Sequence, residues 1–260
     1  MCGALFQFVP VLVAGPLYSN VLPFPALVLI LAGLLALLAS SLQLAGLMPM
    51  IPHCFLAASV LLGSGFALAI WTLGRTLAAA WPLNLPAQFV TVGLCSVAAT
   101  VAFGIIFTLG YGGYTHTLFL RALQAHGLPL HVLAGLGGWL TFTAMGVSHR
   151  LLAMFMLSPE LDGAPTRWTL RLGTLALAIV IIAGPVAIAA RGNPDLALLI
   201  AGLISLACLA LYARDVVQLY RKRVRRVIEL NSRMAGIALA HLAAATLLTI
   251  ALAALGLFGR

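Results

Sequence analysis

Seven apolar stretches constrain the fold of this chain more than any other feature of its sequence. They run approximately over Leu22–Leu44, Cys54–Leu73, Ala87–Gly110, Leu130–Met156, Leu170–Ala190, Leu196–Val217 and Met234–Phe258. An α-helix needs about 20 apolar residues to cross the ~30 Å hydrocarbon layer of a bilayer. Within that layer a helix satisfies the hydrogen bonds of its own backbone. The sequence therefore predicts an all-α fold, a polytopic transmembrane helix bundle.

The composition supports this prediction, because 63% of the 260 residues are hydrophobic and only 7% are charged. Roughly 25% of a soluble domain is charged, so the lipid bilayer is the expected partner of most side chains here. No connection is long enough to separate two domains, and residues 1–260 are expected to form a single transmembrane domain. The opening segment, Met1–Ala14, is apolar but too short to span. It is predicted to form a short helix, the last turns of a helix whose beginning is missing.

The basic residues predict an orientation. Half of the 14 Lys and Arg residues lie between Arg214 and Arg233, a pattern typical of a cytoplasmic connection beside anionic lipids. It does not indicate nucleic-acid binding. With this connection inside, the two sides of the membrane receive 11 and 3 basic residues. We therefore expect a bacterial cytoplasmic (inner) membrane protein with its N-terminus inside and its C-terminus outside.

No acidic residue is expected deep within a span. The five acidic residues fall in or beside the predicted connections: Glu160, Asp162, Asp195, Asp215 and Glu229. A carboxylate proton relay or a sodium site is therefore not expected. The nucleotide-binding, zinc-protease and hydrolase motifs are also absent from the sequence, so an enzyme is not expected from this chain in isolation.

Four histidines fall at or near the predicted outer boundary: His53, His116, His126 and His131. Neutral imidazole is a common ligand of haem iron and copper. Four imidazoles on one side predict a metal or haem site at the outer face. The alternative is that these histidines only lie at the water interface.

The Leu130–Met156 helix carries one of these histidines above two glycines. At about 100° per residue, one face holds His131, Gly135, Gly138, Phe142, Met145 and His149. Gly135 and Gly138 expose backbone below His131, which would admit either a flat macrocycle or a neighbouring helix. These three residues are the candidate cofactor-binding set. His149 lies five turns away, too far to share a metal with His131.

A second candidate metal site lies in the short outer connection that contains Met48, Met50, His53 and Cys54. Thioether, thiol and imidazole ligands together suit Cu(I). The alternative is a short boundary loop in which these side chains bind nothing.

Two polar stripes mark the Ala87–Gly110 helix. Small residues recur every four positions at Ser96, Thr100, Gly104 and Thr108, which predicts a ridge for helix contact. Gln88, Thr91 and Cys95 form a neighbouring stripe that either lines a cavity or packs against another helix.

Three segments resemble a known family. His131-Val-Leu-Ala-Gly-Leu-Gly-Gly-Trp139, continuing through Met145-Gly-Val-Ser-His-Arg-Leu-Leu to Met154-Phe, resembles a helix of the haem–copper oxidase subunit I-like membrane proteins, which include NnrS-type haem and copper proteins. Gly3-Ala-Leu-Phe-Gln-Phe-Val-Pro10 is similar to the end of that family's second helix. The basic connection between Tyr212 and Arg233 is similar to a later segment of the family. The matches touch about a third of the chain.

The resemblance implies a part of that fold, from the end of its second helix to about its ninth, lacking the N-terminal and C-terminal helices. His131 matches the position of a copper-ligating histidine. The chain departs from the family at Gly135, where the oxidases carry a tyrosine, and at Leu170–Ala190, which lacks their histidine pair. The resemblance thus implies ancestry and fold, without oxygen reduction.

Three functional hypotheses follow. The first is a haem–copper oxidase-like subunit that binds haem or copper near its outer face through His131, with His53, His116 or His126 as partners. The second is a copper-handling or small-solute membrane protein that uses Met48, Met50, His53 and Cys54. The third is a structural protein that packs against other membrane subunits, marked by glycine faces covered by protein and no cavity beside His131.

Overall fold

The computed structural model describes residues 1–49, 51–224 and 230–258, and these residues form nine helices. The helices are α1 (Cys2–Val13), α2 (Pro23–Leu44), α3 (Cys54–Ala79), α4 (Leu85–Tyr111), α5 (Leu118–His126), α6 (Leu128–Met156), α7 (Ala164–Ala189), α8 (Asp195–Arg221) and α9 (Leu230–Phe258). Seven of them, all except α1 and α5, are long and apolar enough to cross a membrane. The predicted all-α polytopic bundle is confirmed, and the chain is an integral, multi-pass membrane protein.

Helix starts follow from local sequence. The Asn84 side chain accepts a hydrogen bond from the Ala87 backbone N–H at 3.0 Å and so caps α4. Thr117 caps α5 in the same way. Both caps satisfy backbone donors that have no partner within the helix. Pro129 and Pro165 lie in the first turns of α6 and α7, where a missing N–H has little consequence.

The centre of the bundle is formed by α4 and α6, and α2 and α9 lie at its edges with most of their side chains facing outward. The α2–α3 pair packs closely through glycine: a Cβ on Gly33 would lie 2.8 Å from the Leu62 backbone nitrogen, and one on Gly65 2.9 Å from that of Ile30. Small residues let membrane helices approach to this distance.

Because consecutive spans run in opposite directions, the helix ends collect at two ends of the bundle. The arginine-rich end carries Arg75, Arg150, Arg167, Arg171 and Arg221, and the histidine-bearing end carries His53, His116, His126 and His131. At the arginine-rich end Arg150 forms an ion pair with Glu160. Asp162 accepts a hydrogen bond from Arg167 Nε at 3.3 Å.

The predicted short N-terminal helix is α1. Its Leu5, Val9 and Leu12 are buried in one cluster with Leu73 of α3 and Val90 of α4. Twelve residues rise about 18 Å, so α1 covers the bundle over only part of the hydrocarbon thickness.

Two spans contain π-helical segments: Leu133–Phe142 within α6 and Ile179–Ala183 within α7. A π-turn bonds residue i to i+5 and commonly marks a functional site. Both segments line a cavity between α6, α7, α8 and α9.

Candidate functional site

A buried group of polar side chains joins α6, α7 and α8 near the arginine-rich end. This polar cluster consists of Ser148, His149, Thr166, Tyr212 and Asp215. The hydroxyls of Ser148 and Tyr212 hydrogen-bond at 2.6 Å. The Tyr212 and His149 rings meet edge to face with centroids 5.5 Å apart. One turn further along α8, the Thr166 hydroxyl hydrogen-bonds to Asp215.

Two ionisable side chains of the polar cluster carry atoms without a hydrogen-bond partner among the described residues. His149 is 5% exposed and Asp215 is 1% exposed. Within the part of the chain that the structure describes, three of their atoms have no hydrogen-bond partner: both ring nitrogens of His149 and the Oδ2 atom of Asp215. Nearly all buried polar atoms are hydrogen-bonded, and an unsatisfied one costs about 1–3 kcal/mol. Such atoms favour a site that binds water or a proton.

The position of Asp215 corrects a sequence expectation. Asp215 was expected beside a connection, but α8 continues to Arg221 and places it about 9 Å inside the helix end. Hydropathy falls after Val217, yet Gln218, Tyr220 and Arg221 still permit a helix, so the apolar run ends before the helix does. A carboxylate is therefore buried in a span, and the reason for excluding a proton relay no longer holds.

A partly open cavity of about 110 Å³ lies between α6, α7, α8 and α9, about one helical turn from the polar cluster. Met145 and Cys208 line it, and each lies four residues from a cluster member, His149 or Tyr212. The hydroxyl-bearing residues of its wall are Thr141, Ser205, Thr246 and Thr249. Because one water needs about 15 Å³, the cavity has room for several.

Cavity and polar cluster together extend through most of the bundle. The cavity wall includes Leu198, near the start of α8 at the histidine-bearing end. Asp215 lies 17 residues further along the same helix, a rise of about 26 Å. The π-helical segments contribute Gly137 and Val180 to the wall. The cavity wall and the polar cluster thus lie at successive levels along α8.

His131 lies at the histidine-bearing end, between α6 and α4. Its Nδ1 and the Thr100 backbone oxygen lie 3.0 Å apart, and its ring meets Phe107 edge-on at 5.5 Å. The carbonyl requires the Nδ1–H tautomer, which leaves Nε2 as the available ligand atom. Metal-ligating histidines are commonly held in this way.

The glycines below His131 pack against α4. A Cβ on Gly135 would lie 3.2 Å from the Thr100 side chain, and one on Gly138 would overlap Ser96. Gly104 in turn faces the His131 ring. The predicted ridge on α4 is therefore confirmed as a helix contact, and a haem macrocycle does not fit on this glycine face. Glycine faces covered by protein are expected for a structural membrane protein, the third hypothesis.

The remaining predicted ligands lie apart from His131 or are engaged elsewhere. The His53 Nδ1 contacts the Tyr114 hydroxyl, and the Cys54 thiol donates to the Ala36 carbonyl at 3.4 Å. His116 and His126 are exposed, as is Met48; Met50 lies outside the described residues. Among residues 1–49, 51–224 and 230–258, no three His, Cys, Asp or Glu side chains come together as a metal site. Copper binding by these residues stays a prediction.

The sequence reasoning singled out His149 only by its face on α6 and missed Asp215, Tyr212 and Thr166. Their proximity depends on how three helices pack, which no local motif encodes. An Asp with a hydroxyl-bearing residue one turn before it in the same helix was the available signal, and it is weak.

Comparisons with protein-family models, with curated proteins and with solved structures each found no match. The likeness of the His131 helix to the haem–copper oxidase family therefore rests on its motif alone.

Proposed function

We propose that this multi-pass membrane protein conducts protons, and that His149 and Asp215 are the side chains that bind and release them. One observation carries the proposal: two buried ionisable side chains within spanning helices have atoms that find no hydrogen-bond partner among the described residues. An ionisable residue inside a membrane protein is expensive to keep and indicates an ion or proton pathway. The adjoining cavity supplies room for water between these side chains and the histidine-bearing end.

The proton would enter from the arginine-rich end, because Asp215 lies only about two turns inside it. An imidazole that has lone pair and N–H both unpaired can accept a proton on one nitrogen and release one from the other. The Tyr212 side chain of α8 reaches toward α6. Its hydroxyl hydrogen-bonds to Ser148, and this bond holds the Tyr212 ring against the His149 ring.

Proton flux into liposomes tests the proposal. Protein reconstituted with an enclosed pH-sensitive dye is given a potassium diffusion potential, and the initial rate of pH change is measured. We expect flux above that of empty liposomes, and a loss of about 100-fold in His149→Gln or Asp215→Asn, the range for a positioned proton-transfer group.

Matched control substitutions are available. His241 lies exposed on α9, with Nδ1 near the Ile237 carbonyl, and Asp162 is exposed. His241→Gln and Asp162→Asn should retain the wild-type rate. Wild-type flux equal to that of empty liposomes, or full flux in both cluster variants, would contradict the proposal.

A copper ion held by His131 is a second candidate, which the family resemblance implies and the anchored imidazole favours. The Thr100 carbonyl fixes the ring so that Nε2 is the ligand atom. This candidate predicts copper in the purified, copper-loaded protein by elemental analysis, lost in His131→Ala and kept in His241→Ala. Copper-loaded protein that retains no copper after purification would count against it.

A further inference from the structure

A groove open to the bilayer runs between α4 and α7 at the arginine-rich end. Its volume is about 660 Å³, and its wall includes Trp81, Gln88, Val92, Arg171 and Ala178. A more polar recess of about 370 Å³ continues from it past Arg167 and shares Gln88 and Arg171. These volumes are in the range of ligand sites.

The groove changes character along its length. Arg171, which marks its polar mouth, is exposed and has its guanidinium 5.3 Å from the Trp168 ring centroid. Ala178 lies seven residues deeper along α7, about 10 Å by helical rise. The intervening hydroxyl of Thr174 donates to the Leu170 carbonyl, and that of Thr91 to Ala87. The hydroxyls are thus engaged with their own helices, and the deep wall accepts an alkyl chain.

The mouth has a net positive charge, because Asp162, Arg167 and Arg171 line its recess. Asp162 pairs with Arg167, whereas among the described residues no carboxylate pairs with Arg171. A guanidinium binds phosphate through paired N–H donors. Trp81 and Trp168 are 75% and 51% exposed, as expected of side chains at the headgroup level of a bilayer.

We propose that this groove binds an anionic diacyl phospholipid, with its phosphate at Arg171 and one acyl chain along Val92 and Ala178. The basic mouth favours an anionic headgroup over a zwitterionic one, and the apolar depth requires a chain. The assignment does not depend on proton conduction, which concerns the interior of the bundle.

Tryptophan quenching by brominated lipid tests the assignment. In a Trp71→Phe, Trp139→Phe background only Trp81 and Trp168 emit; Trp81 lines the groove, and the Trp168 ring contacts Arg171 at its mouth. Nanodiscs of phosphatidylcholine receive an equal fraction of dibrominated phosphatidylglycerol or dibrominated phosphatidylcholine. We expect the apparent affinity for phosphatidylglycerol to exceed that for phosphatidylcholine about fivefold, the effect of one arginine near an anionic surface.

Variants locate the preference. Arg171→Gln should abolish it and Arg171→Lys should retain most of it, while Arg223→Gln, an exposed arginine at the same end, should leave it unchanged. Equal quenching by the two lipids, or a preference that persists in Arg171→Gln, would overturn the proposal. Loss of the preference on adding millimolar inorganic phosphate at constant ionic strength would also overturn it, because the site would then bind free phosphate.

Discussion

At the scale of single residues, Asp215 and His149 are costly to bury. A carboxyl and an imidazole are removed from water with three of their polar atoms unpaired in the described structure. Each such atom lowers stability by about 1–3 kcal/mol, a cost that bound water or a proton would offset. The Ser148–Tyr212 hydrogen bond does not offset this, because it satisfies other atoms.

Helical periodicity placed His149 on one face of α6 but assigned it no role in a site. The face shared by His131, Gly135, Gly138 and His149 followed from helical period, and the structure confirms that it turns toward the bundle interior: Gly135 and Gly138 meet α4, and His149 meets Phe89. The approach of Asp215 to Thr166 depends instead on the rotation of α8 against α7. Hydropathy carries no information about that rotation.

At the scale of helices, the predicted spans agree with the structure to within a few residues at most ends. The larger differences are at Ala79, Ala164, Arg221 and Leu230, where helices extend past the apolar stretch. Polar residues with good helix propensity continue a helix beyond its apolar run. The π-helical segments were not predicted, because an apolar span has no periodic contrast in which an i→i+5 turn would show.

Neighbouring glycines of α6 give a test of helix packing. A Cβ on Gly138 would overlap the Ser96 Cβ and lie 3.1 Å from Leu177, whereas one on Gly137 would meet no described atom within 4 Å. We expect Gly138→Ala to lower the free energy of unfolding by about 1–3 kcal/mol, and Gly137→Ala to leave it equal or slightly higher. Unfolding in detergent with increasing SDS, followed by circular dichroism, measures both. Equal effects of the two substitutions would contradict the close contact of α6 with α4.

At the scale of the whole molecule, the bundle has two chemically different ends. Arginines, two ion pairs and the polar cluster lie toward one end, and the histidine-bearing connections lie at the other. The sequence predicted this separation, because an alternating chain direction assigns each connection to a side once the spans are known. Assignment of the arginine-rich end to the cytoplasm rests on the distribution of basic residues.

The central claim, a chain that crosses the bilayer with these two ends on opposite sides, is tested most directly by labelling single cysteines. The native cysteines to be replaced by alanine are Cys2, Cys54, Cys95 and Cys208. Into this background His116→Cys and Gly163→Cys are introduced separately, both at exposed positions at opposite ends. In sealed right-side-out vesicles a membrane-impermeant maleimide should label the first at once and the second only after permeabilisation. Immediate labelling of both would contradict the seven-span account.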